Sequence, residues 1–251
     1  MDVDGNLHAI ACRVCDVARQ RFVGQHEAVA HDVGRDIEHV LGQCVGATPE
    51  KCEPRGLEAG DLGPGSYGHA FRNFTTDLDG EDPGFDQLPH LIRKLKDLPL
   101  DRTAVMSPWI PNANHREAGV KSRNTIAPCH GWIHAMVFGD RLHLVHNQRS
   151  GDTPVGVPSN MAQYTALGLM LEQLTGYEFA EYVHWIQYAH IYANQFDAVD
   201  EMLSRAPRAL PTLLLTEAGR RVTDIHDFRA EHFVLSDYDP HPGIRDIPVL
   251  T

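Results

Sequence analysis

Apolar side chains recur at spacings of three and four between Phe85 and Asp97, where Leu88, Leu91, Ile92 and Leu95 fall on one face and Pro89 sits in the first turn. That pattern predicts an amphipathic helix. A second helix is predicted from Asn160 to Thr175, with Leu167, Met170, Leu171 and Leu174 on one face and Gly176 placed as its C-cap. Phe196, Val199, Met202 and Leu203 mark a third, ended by Pro207, and Ile10, Val14 and Val17 are spaced for one face of a helix over residues 7 to 21. Strand signals are shorter. Thr103 to Ser107 is an apolar run, and Trp132 to Val145 reads as two strands joined at Gly139-Asp140, a dipeptide suited to a tight hairpin turn. Leu213 to Leu215 and His232 to Leu235 are strand-like, whereas the turn-rich stretch Gly60-Asp61-Leu62-Gly63-Pro64-Gly65-Ser66-Tyr67-Gly68 reads as a loop. No internal repeat or low-complexity segment interrupts this order. The predicted class is α+β: a mixed sheet covered by helices in a single domain over 1–251, with the helix after Asn160 at its centre.

Composition narrows the functional classes. At 251 residues, with 42% hydrophobic and 22% charged content, the chain supplies a sizeable core and nothing in it suggests disorder. A formal net charge of -12 argues against a nonspecific binder of nucleic acid or an anionic membrane, since phosphate polymers are held through clustered Lys and Arg. Local arginines can still hold single phosphates. The odd count of five cysteines, with no signal-peptide pattern and no long apolar run, fits a reduced cytoplasm. Cys12 and Cys15 form a C-x-x-C pair, but Cys44 and Cys52 are spaced too widely to give the second tight pair of a zinc site. Buried thiols are the alternative, and no metal is expected.

The candidate chemistry gathers around Cys129, in the run Ile126-Ala127-Pro128-Cys129-His130-Gly131. Twenty residues on comes Gln148-Arg149-Ser150-Gly151-Asp152, then Val157-Pro158-Ser159-Asn160. A cysteine fixed by a preceding proline, followed by a cation, a hydroxyl, a carboxylate and an amide, supplies a nucleophile, an anion clamp and a reader of a polar heterocycle. Each residue also has a plainer reading: Cys129 or His190 as core, Tyr67 and Tyr192 as packed aromatics, Asp152 as the cap of a turn before Pro154. His134, His143 and His146, in the predicted hairpin, are expected to be packed or solvent-facing, not ligands.

The longer pattern decides between these. Gly60-Asp61-Leu62-Gly63-Pro64 with Tyr67-Gly68, Asp101-Arg102 before Trp109, Ala127-Pro128-Cys129-His130, Gln148-Arg149-Ser150, Asp152, Gly156 with Pro158 and Asn160, Ala189-His190-Ile191-Tyr192, Leu203-Ser204-Arg205 and Tyr238-Asp239-Pro240-His241-Pro242 occur in collinear order. Over residues 60–251 the chain resembles the thymidylate synthase family, which also contains the pyrimidine-nucleotide hydroxymethylases. The resemblance implies a three-layer α+β fold whose sheet packs against that of a second subunit, hence a homodimer. It implies Cys129 as nucleophile and Tyr67 and His130 in the proton-transfer network. Gln148, Arg149, Ser150, Asn160, His190 and Tyr192 would bind a pyrimidine nucleoside monophosphate, with Arg102 reaching in from the second subunit. Asp152, Gly156 and Val249 would meet the folate, 5,10-methylenetetrahydrofolate.

The chemistry is intelligible from the residues. Addition of a thiolate at C6 of uracil makes an enolate whose C5 attacks a one-carbon electrophile, and Arg149 would favour that thiolate while holding a phosphate. An amide at Asn160 can donate to O4 and accept from N3–H, which suits uracil, whereas a carboxylate would suit cytosine. The leading expectation is therefore conversion of dUMP to dTMP. Residues 1–59 diverge: the family's early glutamate, tryptophan pair and loop arginine have no clear counterpart, and Glu38 is the candidate for the glutamate. Thr103 follows Arg102 where a second arginine is usual, Ser159 stands where a bulky aromatic is common, and Tyr188 replaces an acidic residue. A more open site would admit water in place of hydride, so a 5-hydroxymethylase acting on dUMP, dCMP or CMP is the alternative. A nucleotide-binding dimer without catalysis is a further one.

Overall fold

The computed structural model describes residues 48–77, 84–115, 118–119, 122–245 and 247–248. The expectations for the helix over 7–21, Cys12, Cys15, Cys44, Glu38 and Val249 fall outside them. Helices are α1 (Pro49–Cys52), α2 (Tyr67–Arg72), α3 (Gln87–Asp97), α4 (Pro111–Asn114), α5 (Gly156–Thr175) and α6 (Phe196–Ser204). Strands are β1 (Val105–Met106), β2 (His130–Phe138), β3 (Arg141–Gln148), β4 (Gly151–Asp152), β5 (Glu178–Ile186), β6 (Ala189–His190), β7 (Thr212–Leu215) and β8 (Phe233–Ser236).

The main sheet has the order β1-β2-β3-β5, antiparallel except for the parallel β3/β5 pair, so it is mixed as the sequence predicts. Its inward side carries Ile133, Ala135, Val137, Leu142 and Leu144, all buried against α3 and α5. α3 buries Leu88, Leu91, Ile92 and Leu95, the stripe its spacing marks, and Asp86 caps it by accepting from the Leu88 N–H. Each such fully buried side chain contributes about 1.5–3 kcal/mol. α5 is buried on several sides, from Val157 through Leu174, and ends at Gly176 in the left-handed conformation.

Three local departures have physical reasons. α5 begins at Gly156, four residues ahead of the predicted start, because Pro158 falls in its first turn, where a missing N–H costs nothing. Tyr67 and Gly68 open helix α2 rather than closing a loop. β5, nine residues long, has no counterpart in the predicted elements. It turns Tyr182 and His184 toward the core and Val183 and Trp185 outward, so polarity does not report burial.

The outward face of the sheet carries large apolar side chains among polar ones. Trp132, Val183 and Trp185 are 56%, 38% and 64% exposed, and the register sets Val145 beside Val183 and Asn147 beside Trp185. Among the described residues, no helix is long and apolar enough to cross a membrane.

Candidate active site

Cys129 ends the segment that leads into β2, and a backbone knot holds it there. Its carbonyl accepts from the N–H groups of Arg149 at 2.8 Å and Ser150 at 3.3 Å, and Arg149 Nε donates to the Pro128 carbonyl at 3.2 Å. The predicted nucleophile and the predicted anion clamp, twenty residues apart, are thus one unit. The knot needs Gly131: a Cβ there would lie 2.3 Å from the Asn147 carbonyl oxygen, at the point where the β2/β3 register shifts. The Arg149 guanidinium also lies over the Trp109 ring, 5.4 Å from its centroid, and is otherwise exposed.

On the other side of Cys129, the Tyr67 hydroxyl accepts from the Cys129 N–H at 2.8 Å. Burial, and the charge of Cys129 beside it, push the Tyr67 phenol well above its ordinary range. Tyr67 is placed by the Gly60–Gly68 segment, which folds onto the fully buried amide of Asn124. Asn124 Oδ1 accepts from the Gly65 N–H at 2.8 Å and its Nδ2 donates to Asn114 Oδ1 at 2.7 Å. At Gly63, with φ +98°, a Cβ would meet that same residue at 2.6 Å, so the turn closes only with glycine.

Beneath Cys129 lies a buried aromatic cluster. His130 Nδ1 is 2.6 Å from the Tyr164 hydroxyl, and its ring stands 4.7 Å from that of Tyr67 and 5.1 Å from that of His146. His146 is fully buried, and burial with the neighbouring His130 and His184 drives it far below the ordinary imidazole range. His184 is lowered to about 4 by burial. His146 and His184 stay neutral at physiological pH.

Gln148, 1% exposed, links that cluster to Asn160. Its Nε2 donates to Asn160 Oδ1 at 2.9 Å and to the Ser150 carbonyl at 2.8 Å. Pairing of β4 with β6 sets Asp152 beside His190, whose ring contacts that of Tyr192 at 4.9 Å. Asp152 Oδ2 accepts from Gln195 Nε2 at 3.1 Å, while its buried Oδ1 has no partner. Gln195, fully buried, also donates to the Pro248 carbonyl at 2.8 Å and accepts from the Tyr192 N–H at 2.9 Å. Gly156 opens α5 one turn before Asn160, and Arg102 is exposed ahead of β1.

The structure therefore brings Tyr67, Cys129, His130, Gln148, Arg149, Ser150 and Asn160 into one connected constellation, with Asp152, His190 and Tyr192 joined through β4, β6 and Gln195. Sequence reasoning missed Asn124, Tyr164, His184 and Gln195. Tyr164 stands four residues after Asn160 on the same helix, a spacing that could have flagged it; the amides and His184 carry no local signal. Among the described residues, no group of three or more His, Cys, Asp or Glu side chains is arranged to hold a metal ion.

Residues 50–249 match the protein-family model described as thymidylate synthase. The chain is 38% identical over 186 residues to a thymidylate synthase of Mycoplasma mobile, a match taking in 74% of this chain and 58% of that protein. It is 39% identical over 194 residues to a thymidylate synthase of Equine herpesvirus 2, covering 74% of this chain and 63% of that protein. The chain thus spans about six tenths of the length of these relatives.

Proposed function

Because this chain belongs to the thymidylate synthase family, we propose that it transfers a one-carbon unit from 5,10-methylenetetrahydrofolate to C5 of dUMP, giving dTMP and dihydrofolate. The observation that carries this reading is the knot in which the Cys129 carbonyl receives the N–H groups of Arg149 and Ser150. It fixes a thiol and a cation on two backbone segments bonded side by side, as a nucleotide held by its phosphate and attacked at its base requires.

In this mechanism Cys129 adds as thiolate to C6, and C5 attacks the methylene carbon of the folate. Arg149 and Ser150 hold the 5′-phosphate, His190 and Tyr192 hold the sugar 3′-hydroxyl, and Asn160 reads the O4/N3 edge. The C5 proton leaves to a base in the network of Tyr67 and His130, and tetrahydrofolate is eliminated to leave an exocyclic methylene. Hydride from the tetrahydrofolate completes the methyl group as Cys129 departs from C6. The Asp152 carboxylate, held by Gln195, would accept from the pterin N–H groups. Gly156 and Val249 would meet the folate as well, and no metal is required. Both relatives carry the synthase name, which favours hydride over water as the finishing step.

We place the protein as a homodimer built on the outward face of the main sheet, where Trp132, Val183 and Trp185 are exposed. Arg102 of one chain would then reach the phosphate held by the other, and neither nucleic acid nor membrane is a partner. A cytoplasmic location accords with this chemistry.

Incubation with dUMP and methylenetetrahydrofolate tests the reading. The expected result is a product heavier by one CH2 and a stoichiometric rise in dihydrofolate absorbance, both lost in Cys129→Ser. A hydroxymethyl product without dihydrofolate would overturn it.

A further inference from the structure

The hydrogen bonds that reach Asn160 from below have a polarity that can be worked out from one end. The Ser150 carbonyl can only accept, so the Gln148 atom 2.8 Å from it is Nε2. That nitrogen is also 2.9 Å from Asn160, which therefore turns Oδ1 toward it. Gln148 Oε1 is then the atom 2.6 Å from His184 Nε2, and an amide oxygen can only accept. His184 must carry its proton on Nε2. Burial keeps the imidazole neutral, with a pKa of about 4, so it has one ring proton and Nδ1 is bare. Nδ1 is accordingly buried without a partner. The ring is held in place by stacking on His146, with centroids 4.8 Å apart and planes 15° apart.

We propose that His184 is a positioning residue for base selection: its Nε2–H orients Gln148, Gln148 orients Asn160, and Asn160 meets the pyrimidine with Nδ2 as its donor in one fixed orientation. This rests on the reading of Asn160 as the base reader. Uracil presents a carbonyl at position 4 and an N–H at position 3; cytosine presents an amino group and a bare nitrogen. The two edges have the same shape and opposite polarity. An asparagine able to flip reads both, and one that is held reads a single edge. His184 lies on β5 and reaches Asn160 through Gln148, so its effect is on selection and not on the bond-making steps.

Two variants separate position from chemistry. His184→Phe keeps a flat ring for the stack and removes the donor, whereas His184→Gln restores an N–H near the place of Nε2. Competing dUMP and dCMP, with products read by mass, give the ratio of their kcat/KM values. Since the Ser150 carbonyl still opposes the flip, the dUMP preference should fall by roughly tenfold in His184→Phe, the worth of one hydrogen bond. It should stay within about twofold of wild type in His184→Gln. An unchanged ratio in His184→Phe, or an equal fall in both variants, overturns the proposal. Nitrogen-15 NMR of the histidine-labelled wild-type protein without nucleotide reads the tautomer directly; an Nδ1–H form at His184 also overturns it. A wild-type protein that turns over neither nucleotide refutes the proposed function and the selectivity with it, and the tautomer measurement distinguishes that result from a broken relay.

Discussion

The backbone N–H of Cys129 donates to the phenol oxygen of Tyr67 across 2.8 Å, joining two residues 62 positions apart in sequence. The contact ties the start of α2 to the end of the segment before β2, and it makes Tyr67 part of the frame in which the thiol is aimed. Tyr67→Phe removes the acceptor and leaves an N–H beside the thiol unpaired. Stability should fall by about 1–2 kcal/mol in urea denaturation, and turnover of dUMP by roughly a hundredfold. A folded variant with wild-type turnover would remove Tyr67 from the mechanism.

Arg149 does two things that a lysine cannot. Its Nε is bonded to the Pro128 carbonyl while its guanidinium plane lies over Trp109. In Arg149→Lys the ammonium keeps the charge and loses the fork, so the KM for dUMP should rise by about tenfold or more. Inorganic phosphate should compete more weakly in the same proportion. Unaltered dUMP and phosphate affinities would show that the anion binds elsewhere.

Gln195 holds Asp152, Tyr192 and Pro248 at once. Gln195→Leu keeps the volume and deletes every one of these bonds. The expected signature is a KM for the folate raised by about tenfold, with dUMP affinity measured by calorimetry little changed. Protease nicking after Pro242 should also become faster. Equal weakening of both ligands would point to general loosening instead.

The buried histidines make stability depend on pH. The folded-state pKa of His184 is about 4 against an ordinary 6.5, and His146 lies lower still. Below 6.5 the unfolded chain takes up protons that the folded chain refuses, so stability falls as pH drops. For His184 alone the loss between pH 6.5 and 4 is on the order of 3 kcal/mol, and it stops growing once the folded ring is protonated. Urea midpoints over that range should show it, and His184→Phe should flatten the slope. An identical slope in that variant would assign the effect to other groups.

What could be read from sequence divides along a physical line. Leu88, Leu91, Ile92 and Leu95 bury the stripe that their spacing displays, because α3 is half in the core and half in solvent. The hairpin of β2 and β3 and the C-cap at Gly176 were equally legible, since turn chemistry is local. β5 was not, because Val183 and Trp185 face out and Tyr182 and His184 face in. Around Cys129, the collinear motifs single out Arg149 and Asn160, which the fold brings into the same hydrogen-bonded constellation. Asn124 and Gln195 are not singled out, since an amide becomes a hub only through partners brought from other parts of the chain.

The three tryptophans divide between two surfaces. Trp132 and Trp185 stand exposed on the outward face of the sheet, whereas Trp109 lies under the guanidinium of Arg149. The protein thereby carries its own optical reporters. On the proposed assembly, light emitted by Trp132 and Trp185 would shift to the blue as a second chain covered the sheet, while that of Trp109 would change if an anion drew Arg149 off its ring. With a single-tryptophan variant for each surface, assembly and ligand capture can be followed as separate signals in one cuvette.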